Sequence, residues 1–249
     1  MARPTSNRRA PLAPLLLAGL SGCAWMYSAP VPLKTQLYPA SASGQARTLL
    51  VLLPGRGDAM TAFAEHGFVD DLRAAGAPVD VLAVDARIGY YVKETIVDRL
   101  WTDVLEPARR QGYAHVWIAG VSMGGLGTLA VASAKPGAAD RLILLAPYVG
   151  PQRLLTDIEA AGGPARWTPT DPADPYQRIW LWLKKYREPG TIMPKMTLAF
   201  GEQDALAPGH RLLAQLLPAD QVLRADGGHN WVVWRQLWQR EWAAVARGQ

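Results

Sequence analysis

Residues 115–134, HVWIAGVSMGGLGTLAVASA, constrain the fold more than any other stretch of the chain. The first five form a short apolar run suited to a buried strand, and the closing run of small residues suits a closely packed helix. Between them, Gly120-Val121-Ser122-Met123-Gly124 leaves room for one sharp turn. A strand entering and a helix leaving such a turn hold the serine in a strained backbone conformation with its hydroxyl above the sheet. The flanking glycines admit neighbouring backbone. The amide of Met123, at the helix start, faces the same space and is backed by the helix dipole. Ser122 is therefore a candidate nucleophile and the Met123 N–H a candidate oxyanion donor. The alternative is a glycine-rich turn carrying a surface serine.

The rest of the chain repeats this rhythm. Apolar runs predict strands at Thr48–Leu53, Val79–Val84, 115–119, 141–146, 196–200 and 221–224. Helical spacing predicts helices over 61–75, 93–111 with Pro107 as a possible kink, from about 123, over 209–217, and over Trp231–Ala246. Residues 31–38 read as either an edge strand or a tether. Strand alternating with helix implies an α/β fold, a mostly parallel sheet covered on both faces. Residues 147–194 break the rhythm and read as a lid-like insertion, with a surface excursion as the alternative. Trp167, Trp180 and Trp182 in it are candidates for an apolar acyl or aromatic subsite, or for contact with a membrane surface. Trp231, Trp234, Trp238 and Trp242 form a mostly core-facing stripe, with Trp231 near enough to His229 to line a pocket.

A serine needs a base and an orienting acid to act as a nucleophile. His229 follows the last strand in Gly227-Gly228-His229 and is the candidate base. His66, His115 and His210 read as structural or solvated. Asp204 stands in the loop after the 196–200 strand and leads as the acid, with Asp226 and Glu202 as alternatives. Asp85 precedes the serine and reads as organising its own loop with Arg87. The loop Pro54-Gly55-Arg56-Gly57-Asp58 after the first strand is placed to give the second oxyanion donor, from Arg56 or Gly57. The Arg56 side chain is alternatively a contact for an anionic substrate.

In these residues the chain resembles the α/β-hydrolase superfamily of serine hydrolases over about residues 48–246. The runs GVSMGGLGTL (120–129) and GGHNWVVW (227–234) resemble its esterase D-like branch. The Pro-Gly-Arg-Gly loop departs from the His-Gly start common in such enzymes. The resemblance implies the order nucleophile, acid, base, met here by Ser122, Asp204 and His229, with Arg56 and Met123 at the oxyanion hole.

The N-terminus reads as an address. Arg3, Arg8 and Arg9 precede an apolar run that is short for a bilayer span, and Leu20-Ser21-Gly22-Cys23 contains the only cysteine. This resembles a bacterial lipoprotein signal: residues 1–22 removed, Cys23 lipidated, residues 23–47 a tether, and 48–249 the hydrolase domain. The expectation is export and lipid anchoring to the cell envelope, with outer-membrane placement facing the periplasm as one option. A plain secretory signal, or an inert cysteine near an ordinary start, is the alternative. Without residues 1–22 the chain has 23 basic against 21 acidic residues, and no basic face argues for nucleic acid. No metal-ligand cluster or phosphate loop appears, so no cofactor is implied.

The expected activity is hydrolysis of a small acyl ester through an acyl-enzyme. Thioesterase, amidase, peptidase and acyltransferase chemistry use the same groups. The reading of a different class is a non-catalytic envelope lipoprotein that uses the fold for binding. Oligomeric state is not legible.

Overall fold

The computed structural model describes residues 27–40 and 47–246. The signal segment, Cys23 and part of the tether lie outside the described residues. Among the described residues seven strands form one sheet: β1 (Thr35–Tyr38), β2 (Thr48–Leu53), β3 (Val79–Val84), β4 (His115–Val121), β5 (Arg141–Leu145), β6 (Lys195–Gly201) and β7 (Val222–Ala225). Their spatial order is β1-β3-β2-β4-β5-β6-β7. Residues 35–38 are thus an edge strand, antiparallel on β3, whereas the other neighbours are parallel. Strands β2 and β5 are buried along nearly their whole length, as expected for parallel strands covered on both faces.

The chain leaves β2 toward β3, then returns past β2 to β4. That reversal opens a crevice at the carboxyl ends of β2 and β4, the place where open α/β sheets bind ligands. Leu53 pairs with Gly120 there, so residues 54–58 and Ser122 emerge side by side.

Helices differ from the sequence expectation where backbone geometry intervenes. The single helix expected over 61–75 is two, α1 (Ala62–Glu65) and α2 (Phe68–Ala74). Gly67 between them adopts φ 78°, which a right-handed helix cannot include. The helix expected over 93–111 begins later. A short helix, α3 (Ile88–Val92), precedes it, and Glu94 at φ 56° separates the two. The segment then runs as α4 (Ile96–Leu100), a wide π turn (Trp101–Leu105) and α5 (Glu106–Arg110). Pro107 follows the wide turn at the start of α5, where its missing N–H is best tolerated. The elbow helix is α6 (Met123–Ala134), and 209–217 is replaced by α9 (Ala207–Ala214). Helix α10 (Trp231–Ala246) agrees with expectation.

The insertion holds two α-helices, α7 (Gln152–Ala160) and α8 (Pro175–Lys184). Asp174 caps α8, accepting the N–H groups of Tyr176 and Gln177. Trp167 and Trp180 are core residues, 4% and 0% exposed, and the Trp180 indole N–H donates to the Val149 carbonyl. Trp182 packs edge-on against Tyr186, beside a hollow lined by Met193 and Ile192 rather than Ser122. The expectation that these three tryptophans form a substrate subsite is therefore corrected: α8 packs on the elbow helix α6, which buries Trp180, Trp167 is buried in the core, and Trp182 borders a hollow away from Ser122. Among the described residues no helix is long and apolar enough to cross a membrane.

Candidate active site

Ser122 occupies the turn between β4 and α6 with φ 51° and ψ −113°, a conformation that costs a non-glycine residue about 1–3 kcal/mol. The surroundings hold it there. Its N–H donates to Leu145 O at 3.0 Å, and its carbonyl accepts from Tyr148 N at 2.9 Å. A Cβ on Gly124 would collide with the backbone of Leu53 and Pro54, so glycine there lets α6 sit directly on the end of β2.

Asp204 follows β6, 4% exposed, and His229 follows β7. His229 Nδ1 lies 2.8 Å from Asp204 Oδ2, and Nε2 lies 2.9 Å from Ser122 Oγ. A carboxylate only accepts, so Nδ1 carries the proton and Nε2 is left to accept from the serine hydroxyl. The other Asp204 oxygen accepts the Leu206 N–H at 2.8 Å. Burial by itself would raise the Asp204 pKa. The hydrogen bonds from His229 and Leu206 outweigh it and hold the carboxyl below its usual value, ionised. Trp234 packs edge to face on the imidazole, with ring centroids 4.7 Å apart.

The alternatives for the acid are placed elsewhere. Glu202 is held by Arg211 at 3.0 Å and Arg224 at 3.3 Å, and Asp226 stands exposed at the end of β7. Asp85 does organise its own loop, binding Arg87 at 2.6 Å. His66 stacks on Trp231, and His115 is exposed at the start of β4.

The 54–58 loop lies against Ser122: a Cβ on Gly55 would be 3.7 Å from that of Ser122. Among the described residues no protein acceptor takes the N–H of Met123 or of Arg56. Both amides are available to a developing oxyanion. Asp58, not singled out from sequence, closes this loop. Its N–H donates to the Gly55 carbonyl at 3.3 Å, and burial raises the pKa of its carboxyl. A carboxylate within a glycine-rich loop expected beside Ser122 was the available signal. Trp234 was also missed as a wall of the site, having been read with the core stripe. The insertion contributes Tyr148 and Tyr176 to the cleft.

His210, on α9, is fully buried against the Phe200 ring, and its Nε2–H donates to Pro147 O at 2.9 Å. Burial pushes its pKa down to about 4, so it is neutral at ordinary pH. In the unfolded chain the same group protonates near pH 6.5, which favours unfolding as pH falls. Stability should therefore decline between about pH 6.5 and 4, by up to roughly 3 kcal/mol from this residue, and level off below. Urea midpoints at several pH values should show that slope in wild type and a flatter one in His210→Gln. Equal slopes would contradict it.

No family model matches the sequence, and no curated protein gives a significant match. Solved structures do match. S-formylglutathione hydrolase from Staphylococcus aureus superposes with a TM-score of 0.61 at 15% identity, covering 86% of this chain and 98% of that one. The chain has the α/β-hydrolase fold. A monoacylglycerol lipase from Paleococcus ferrophilus gives 0.57 at 16% identity, covering 87% and 99%. A fluorophosphonate-binding serine hydrolase from Staphylococcus aureus gives 0.57 at 16%, covering 86% and 99%.

Proposed function

We propose that the protein is a serine hydrolase that cleaves carboxylic esters through an acyl-enzyme on Ser122. One observation carries this: Ser122, His229 and Asp204 form an unbroken hydrogen-bonded chain, 2.9 and 2.8 Å, at the crevice of the sheet. Ser122 Oγ attacks the ester carbonyl as His229 Nε2 takes its proton. The carbonyl oxygen, now an anion, is met by the Met123 and Arg56 amides. The intermediate collapses as Nε2 returns the proton to the leaving oxygen. Water, deprotonated by the same nitrogen, then attacks the acyl-enzyme and releases acid and free serine. Asp204 keeps the imidazole in the required tautomer and stabilises its charged form.

Neighbours named as an S-formylglutathione hydrolase, a monoacylglycerol lipase and a ferulic acid esterase support ester chemistry. A fluorophosphonate probe tests the assignment. It should label the wild-type protein and not Ser122→Ala; absence of labelling on folded wild type would refute it.

We also infer that the mature protein is exported and held at a bacterial membrane by lipid on Cys23. The support is the charged flank, short apolar run and Leu-Ser-Gly-Cys tetrapeptide. Radiolabelled palmitate should enter the wild-type chain and not Cys23→Ser; incorporation that persists in the variant would reject the anchor.

A further inference from the structure

The cleft around Ser122 has two arms with different chemistry. One, lined by Asp58, Asn230 and Trp231, includes His229. The other, about 410 Å³, has apolar walls from Ile88, Val92 and Leu126, with Tyr148 and Tyr176. Arg56 borders both. During ester cleavage, the reading on which this inference rests, His229 hands its proton to the leaving oxygen. It lines only the first arm, so the leaving group lies there and the acyl group in the second.

The acyl arm combines apolar walls with unused donors. Among the described residues the Arg56 guanidinium has no ion-pair or hydrogen-bond partner, and the Tyr148 and Tyr176 hydroxyls have none either. The two rings meet edge to face at 5.9 Å, which brings both phenols to one wall. Burial raises the pKa of each, so both stay neutral donors. Among the described residues no carboxylate lines this arm. Asp58 lines the other arm and not this one. A cation thus borders the acyl arm, while the Asp58 carboxylate lines only the leaving-group arm.

We propose that the acyl arm recognises an acyl chain ending in a carboxylate, so that the preferred substrates are half-esters of dicarboxylic acids. The methylene chain lies along Ile88, Val92 and Leu126. The far carboxylate is held by the Arg56 guanidinium and the two tyrosine hydroxyls, which suit a planar anion in a partly dry site. The ester end is cleaved as described, and no further chemistry is required.

The test compares p-nitrophenyl monoadipate with the neutral ester in which an isopropyl group replaces the free carboxylate. Shape and leaving group are thereby kept. Wild type should favour the half-ester in kcat/KM by roughly tenfold, the effect of one charge-assisted hydrogen bond in a partly exposed site. The ratio should fall toward unity in Arg56→Gln, recover in part in Arg56→Lys, and shrink with added salt. Tyr148→Phe and Tyr176→Phe should lower it severalfold through KM. Taking the ratio within each variant cancels any disturbance of the Arg56 backbone amide. Equal turnover of the two esters by wild type, or a ratio unchanged in Arg56→Gln, overturns the proposal. If folded wild type cleaves neither ester, the ester-hydrolase reading itself fails, and this inference with it.

Discussion

Ser122→Ala should lower kcat/KM on an activated short-chain ester by about 10⁴–10⁶-fold, while the thermal midpoint moves by no more than a few degrees. The size follows from what is lost. Without Oγ there is no covalent intermediate, and His229 has no proton to take. What remains is the pair of amides at Met123 and Arg56 and the shape of the cleft, enough for a residual rate above water alone. Stability is spared because the removed oxygen makes one partly exposed hydrogen bond. The strained φ of 51° is held by the backbone bonds to Leu145 and Tyr148, which alanine keeps.

Two related variants sharpen the prediction. Adding His229→Ala to Ser122→Ala should cost little more, because the residues act as one unit. Asp204→Asn should leave the geometry nearly intact yet reduce kcat by about 10⁴, since an amide can donate to Nδ1 and stabilise the wrong tautomer. Steady-state kinetics on the purified variants decide the matter. Ser122→Ala activity within tenfold of wild type would place the nucleophile elsewhere.

The largest stability effect is expected far from this site, at the opposite end of the sheet. Arg141 starts β5, 8% exposed, and meets Glu241 of α10, 3% exposed, at 2.5 Å. Thr197 on β6 donates its hydroxyl to the same carboxylate oxygen at 3.0 Å. The guanidinium also lies over the Trp117 ring, 5.5 Å from its centroid. Glu241→Ala would leave a buried guanidinium without its counter-charge and a buried threonine hydroxyl without its acceptor. Breaking one side of such a pair costs about 3–5 kcal/mol. Chemical denaturation should show that loss. The double variant Arg141→Met/Glu241→Leu should recover most of it, because apolar side chains of similar volume carry no desolvation penalty. Esterase activity per folded molecule should not change in either variant. A Glu241→Ala loss below about 1 kcal/mol would mean that the pair is hydrated in solution.

Much of this architecture was legible in the sequence because it is written in local patterns. Apolar runs such as TLLVLL form buried strands wherever a sheet is available, and the glycine-flanked Ser122 between a strand and a small-residue helix permits one kind of turn. Asp204 and His229 could be picked out because each follows a strand end, where loops converge on one edge of a parallel sheet, while the order Ser122, Asp204, His229 was what the family resemblance implies. Helix boundaries were less legible. Gly67 and Glu94 divide segments whose apolar spacing runs on through them, and left-handed backbone leaves no periodic trace.

What tertiary structure decided was which side chains meet. Asp204 and Glu202 are two residues apart, but the loop turns one inward to His229 and the other outward to Arg211 and Arg224. The insertion's tryptophans looked like pocket walls by composition, yet α8 turns Trp180 into the core and presents Tyr176 to the cleft. Asp58 and Arg56 sit two residues apart as well, and only the fold places the first on the arm that includes His229 and leaves the second bordering both arms. Local sequence sets backbone conformation through short-range sterics and periodicity. The direction in which a loop side chain points depends on contacts with segments more than a hundred residues away, as between Ser122 and His229. The serine at the turn was therefore readable from residues 115–134 alone, whereas the cleft that surrounds it exists only in the folded chain.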